Sequence, residues 1–164
     1  KADTPTSEKR KLAELIGIGS LRYNILKVQP EKGFTFNIDE ALNLQGDSAP
    51  FAMYAHARAS SILDKYSNEI TTPKLMSKLE VSEIKLLRTL AKWPNIVEET
   101  STNLNIHKIP NYVHKVASDF NQFYRDCPVI NDKNENFRIN LVRCSQKIMH
   151  DGLEILGIKA PKVM

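Results

Sequence analysis

The chain has 164 residues, 41% of them hydrophobic and 26% charged, which is enough apolar content for one ordinary domain with its own core. No apolar run approaches the roughly 18–20 residues a membrane helix needs, and no leader of basic start, apolar middle and small-residue cleavage site opens the chain. The formal net charge of +4 permits a polyanionic partner without demanding one, and two cysteines, Cys127 and Cys144, are too few for a disulfide scaffold. A reducing intracellular compartment is the simplest expectation. The chain opens on Lys1 rather than Met, so it reads as a piece of a longer protein or a processed product.

The first predicted helix opens at Thr4-Pro5, where proline suits the first turn. Leu12, Leu15, Ile16, Tyr23 and Leu26 continue it on a 3.6-residue stripe. Gly17 and Gly19 interrupt the stripe, and close helix packing explains them better than nucleotide binding, because no strand precedes them. Residues 27–38 read as a connector with a short extended piece at Phe34-Thr35-Phe36. Asp39 is the expected cap of a short helix through Leu44, followed by a turn over Gln45-Gly46-Asp47-Ser48. Pro50 starts a strong helix to about residue 66, then 67–80 are polar. Further helices are expected at 82–92, 94–104, 110–126 and 135–156, the last with the stripe Phe137, Leu141, Cys144, Ile148 and a stop at Gly157. The expected class is therefore all-α, a helical bundle with short connections.

Catalytic signatures are missing from this pattern. His56, His107, His114 and His150 form no His-Glu-x-x-His or Cys/His cluster, so no metal site is expected. No Gly-x-Ser-x-Gly and no phosphate loop occurs, so no catalytic residue is assigned. Phe51, Tyr54 and Arg58, spaced i, i+3 and i+7, share one helix face. Two aromatics and a guanidinium are the parts needed to grip an unstacked base, although aromatic pairs at this spacing are also common in cores. Phe120, Phe123 and Tyr124 read by chemistry as core, with a tyrosine hydroxyl reaching solvent or a partner.

The segment from Asp47 through Pro50-Phe51-Ala52-Met53-Tyr54-Ala55-His56-Ala57-Arg58 resembles the opening of the DALR-type anticodon-binding domain of arginyl-tRNA synthetases. Gly152 through Ala160-Pro161-Lys162-Val163-Met164 resembles that family's ending on Ala-Pro-Glu-x-Met, and Tyr112 to Val129 its middle. Ile16 to Tyr23 resembles the helix that follows the catalytic core. Phe51 stands where the family usually has Tyr, Met53 where glutamine is frequent, and Lys162 where Glu is common. Ile139 and Asn140 weaken the family's Arg-Leu-x-Leu phrase. Lys74-Leu75-Met76-Ser77-Lys78 is similar to the Lys-Met-Ser-Lys signature of class I synthetases, but an extra Leu75 and a place in a polar connector argue against that loop.

The resemblance implies a connector over residues 1–45 and an anticodon-binding domain over 46–164, packed as one unit. It implies a pocket for splayed anticodon-loop bases lined by Phe51, Tyr54, Arg58, Tyr124 and Met164, with the middle anticodon cytosine of arginine tRNAs as its natural target. It also implies a cytoplasmic parent enzyme that joins arginine to its tRNA with ATP and magnesium, through residues upstream of this chain. The chain itself is then expected to need no cofactor, and its partners are arginine tRNA and its own catalytic domain. Two alternatives stand beside this: a helical interaction or structural module that binds no tRNA, and the equivalent domain of another class I synthetase.

Overall fold

The computed structural model describes residues 6–73 and 77–164. Among these, seven helices and no strand occur: α1 (Thr6–Leu26), α2 (Ile38–Ala41), α3 (Ala49–Lys65), α4 (Val81–Leu90), α5 (Trp93–Asn103), α6 (Lys108–Asp126) and α7 (Glu135–Ile155). The expected all-α bundle is what forms. Pro5 and residues 74–76 of the Lys-Met-Ser-Lys-like stretch lie outside the described residues.

Where the observed elements depart from expectation, local hydrogen bonding supplies the reason. Phe34 to Phe36 pair with no strand. The cap of α2 is Asn37 rather than Asp39, because the Asn37 carboxamide oxygen accepts from the backbone of Asp39 at 2.9 Å and of Glu40 at 3.3 Å. That helix ends at Ala41, short of Leu44. Ser48 caps α3, accepting from Phe51 N at 3.3 Å, and Pro50 falls at its second position. A capping box opens α4: Glu83 reaches back to the Glu80 backbone N–H at 2.6 Å.

Helix α7 lies against α3 and α6; α4 and α5 pack on α6, and α1 packs on α3. Phe120, Phe123, Met53, Leu86, Val113, Met149 and Leu153 are fully buried between them. Tyr23 carries α1 into the same core, its hydroxyl 2.8 Å from both the Asp47 carboxylate and the Pro110 carbonyl. Burial beside that carboxylate pushes its phenol well above the usual range. Asp119 ties α6 to α4: burial pushes its carboxyl up, but hydrogen bonds from Thr89, Lys85 and Lys115 outweigh this and hold it below the usual range.

Close packing accounts for Gly19 but not for Gly17. A Cβ on Gly19 would meet Met53 Cε at 2.5 Å and Ile158 Cγ2 at 3.1 Å, whereas one on Gly17 meets nothing. At Gly152 of α7 a Cβ would collide with a methyl of Val113, a stiff buried side chain on α6. Gly152→Ala is therefore expected to lower stability by about 1–3 kcal/mol even though alanine favours helix. Gly19→Ala meets the flexible end of Met53 and, less closely, Ile158, and is expected to cost less than Gly152→Ala, within about 1 kcal/mol. Urea unfolding of both variants checks the contrast; equal losses would contradict it.

Candidate nucleic-acid interface

Helices α3 and α6 run side by side in the same direction. The Phe51 and His114 rings meet at 4.9 Å, and seven residues further on both helices Arg58 Nη1 donates to Asn121 Oδ1 at 2.6 Å. That register brings Tyr54, Arg58 and Tyr124 together at the later end of the pair. The Arg58 guanidinium carbon lies 4.7 Å from the Tyr54 ring centroid and 5.1 Å from that of Tyr124. Both tyrosines are 44% exposed. Tyr124 is backed from the core by Phe120, near parallel at 22° with ring centroids 6.4 Å apart.

These three residues line a cleft of about 720 Å³. One wall is α3, through Ala57, Ser61, Ile62 and Lys65; a second is the turn Cys127-Pro128-Val129-Ile130; the third is the tail Lys162-Val163-Met164. The turn is held from beneath. Arg138 on α7, 5% exposed, donates to the Pro128 carbonyl at 2.7 Å and pairs with fully buried Glu83 at 2.7 Å. Burial pushes the Cys127 thiol up, so it stays protonated and serves as packing.

Four of the five residues singled out in the sequence thus meet in one cleft: Tyr54, Arg58, Tyr124 and Met164. Phe51 does not join them. It sits one turn earlier on α3, half-buried against His114. Tyr124, which chemistry alone assigned to the core, is on the surface. Sequence reasoning missed Lys65, Asn121 and Ile130. Lys65 was legible as the continuation of the stripe Tyr54, Arg58, Ser61, Lys65; Asn121 and Ile130 come from elements whose approach no local pattern encodes.

The cleft suits an unstacked base on a phosphodiester strand. Its rim has two aromatic faces, a guanidinium with donors to spare after bonding Asn121, and two further cations, Lys65 and Lys162. No Asp or Glu is among its lining residues, so it is a poor holder for magnesium, which takes oxygen ligands. Elsewhere, exposed His150 and Glu154 approach half-exposed Asp151 on α7, where Lys147 already engages Asp151 at 2.8 Å.

The same chain is similar to known proteins over nearly all its length. It is 39% identical to an arginine–tRNA ligase of Thermococcus kodakarensis, covering 96% of this chain and 26% of that protein. It is 38% identical to one of Methanosarcina acetivorans, covering 100% of this chain and 30% of that protein. The chain therefore spans under a third of the length of these relatives. Its fold superposes on the arginyl-tRNA synthetase of Thermus thermophilus with a TM-score of 0.90 at 32% identity, over 100% of this chain and 29% of that one. Residues 52–164, which hold every wall of the cleft, match the family described as DALR anticodon binding domain. On the strength of that match, from the aromatic helix face to the terminal methionine, the chain belongs to the DALR anticodon-binding domain family.

Proposed function

We propose that this chain recognises the anticodon loop of an arginine tRNA on behalf of a longer arginine–tRNA ligase. The observation that carries the reading is the Tyr54–Arg58–Tyr124 cluster at the mouth of a cleft lined by three cationic side chains and no Asp or Glu. Tyr54 and Tyr124 stack on a splayed base, Arg58 reaches its edge or a phosphate, and Met164 closes one side. Phe51 acts at one remove, by packing α3 against His114 of α6. The names of the relatives support arginine as the amino acid of the parent enzyme. Activation of arginine with ATP and magnesium, in the cytoplasm, belongs on this reading to the part of the enzyme outside this chain.

We also propose that residues 1–45 form the connector to that part, and 46–164 the anticodon-binding domain. Helix α1 supports this by carrying apolar side chains on its outer face as well as on the one packed against the core. Ser20 and Asn24 face inward and are buried, whereas Ile18, Leu21 and Ile25, spaced i, i+3 and i+7, are each about half exposed. A helix with apolar side chains on its outer face suits a position between two bodies.

Binding is expected to be salt-dependent, because phosphate contacts release counterions. Lys65→Ala and Lys162→Ala should each reduce the slope of log K against log salt by about 0.7, the contribution of one single-stranded phosphate contact. The test is filter binding of arginine tRNA and a non-cognate tRNA across a salt series. Preference for the arginine tRNA supports the reading. Equal affinity for both, with unchanged slopes in the lysine variants, would count against it and favour a helical module without RNA recognition.

A further inference from the structure

The third wall of the cleft is a chain terminus, where residues ordinarily fray. Here the tail is fastened at successive points. Helix α7 ends in a Schellman motif: Ile158 N donates to Leu153 O at 2.9 Å and Gly157 N to Glu154 O at 2.8 Å, with Gly157 at φ +67°. Arg22 of α1 donates to the Gly157 carbonyl, and Ile158 is buried in the niche left by Gly19. The last fastening before the cleft is His56. Its Nδ1 lies 2.9 Å from the Pro161 carbonyl oxygen, and its Nε2 lies 2.8 Å from Gln146 Nε2 of α7.

The two contacts fix one tautomer. A carbonyl only accepts, so Nδ1 carries the proton and donates to Pro161; Nε2 then accepts from the Gln146 carboxamide. His56 is 1% exposed, and burial holds its imidazole below the usual value, which keeps the ring neutral. It stands two residues from both Tyr54 and Arg58, about 200° around α3 from each, and lines none of the cleft. Residues 162–164, which do line it, follow directly after the clamped carbonyl.

We propose that His56 is a positioning residue for RNA recognition: by holding the Pro161 carbonyl against α3 it fixes Lys162 and Met164 at the cleft. The proposal rests on the reading of the cleft as an RNA site. It concerns a residue that touches no part of the ligand and acts through the tail. The geometry also specifies which replacement works. An asparagine at 56 places a carboxamide N–H near the position of Nδ1 and keeps the bond to Pro161, whereas leucine fills the space and supplies no donor.

The experiment measures two quantities on the intact chain and on His56→Asn, His56→Leu and a truncation lacking residues 162–164. One, taken on the three full-length chains, is the rate at which carboxypeptidase releases Met164 and Val163 without RNA. The other is affinity for an arginine-tRNA anticodon stem-loop, with His56→Leu also combined with the truncation. His56→Leu should speed release and weaken binding by about tenfold, the loss of one buried hydrogen bond, while His56→Asn stays within about threefold of the parent. In the truncated background His56→Leu should change affinity less than about twofold, because both changes remove the same wall. Unchanged release in a folded His56→Leu overturns the latch and leaves the cleft reading intact. Multiplying losses in the double variant overturn action through the tail. Absence of stem-loop binding by the parent chain overturns the cleft reading, and the proposal with it.

Discussion

Arg138→Met should destabilise the chain by about 3–5 kcal/mol, because it leaves a buried carboxylate without its partner. Glu83 is fully buried and Arg138 is 5% exposed; they meet at 2.7 Å. The same guanidinium also bonds the Pro128 carbonyl at 2.7 Å and lies 3.1 Å from Asp132, so one substitution takes a partner from three groups. Hydrogen bonding and ion pairing with Glu83 and Asp132 raise the Arg138 pKa even though burial opposes it. Adding Glu83→Leu should recover part of the loss, since an apolar pair tolerates burial that a lone charge does not. Recovery will be incomplete, because Glu83 also accepts the Glu80 backbone N–H that starts α4. Urea unfolding of the single and double variants measures this. A loss below about 1 kcal/mol for Arg138→Met would show that the pair is more hydrated than its burial implies.

The second large effect concerns binding. Arg58→Ala is expected to weaken affinity for an arginine-tRNA anticodon stem-loop by about 1–3 kcal/mol, roughly 5- to 150-fold, while changing stability little. Arg58 is half-buried, with its guanidinium over two half-exposed rings, so it contributes more to the shape of the cleft than to the core. Tyr54→Ala should act in the same direction. Arg58→Lys should not rescue, because a point charge on a flexible stem cannot lie against both rings and bond Asn121 at once. Stem-loop titration paired with thermal melts separates the cases. A large drop in melting temperature with proportionate loss of binding would return Tyr54 and Arg58 to a structural role.

Much of the fold was legible because its signals are local. The proline at position 50 and the stop at Gly157 each set an end of a helix through residues within a few positions, whereas Ser48, read as part of a turn, proved to be the cap of α3. The cap of α2 was misplaced because Asn37 and Asp39 are both good caps, and only the observed bonding of the Asn37 side chain separates them. The site was legible in part. The stripe Tyr54–Arg58–Lys65 is periodic and can be read off α3 alone. Phe51 lies on that stripe too, but which end of a helix meets a cleft depends on the register of α3 against α6, and the sequence does not state it. Tyr124 was ambiguous for the same reason: Phe120 and Phe123 beside it are wholly buried, and a small rotation of α6 decides which aromatic is left outside. The latch at His56 was beyond reach, since it joins residues 105 positions apart.

On the proposed function the cleft reads a base, and not merely a backbone. The most direct measurement compares the affinity of this chain for an arginine-tRNA anticodon stem-loop with that for the same stem-loop lacking only the base of the middle anticodon nucleotide. The phosphates are identical, so Lys65 and Lys162 see the same strand, and any difference belongs to the aromatic–guanidinium platform. The abasic loop should bind about tenfold more weakly or worse, the value of one stacked and hydrogen-bonded base. Equal affinity for the two loops would contradict it.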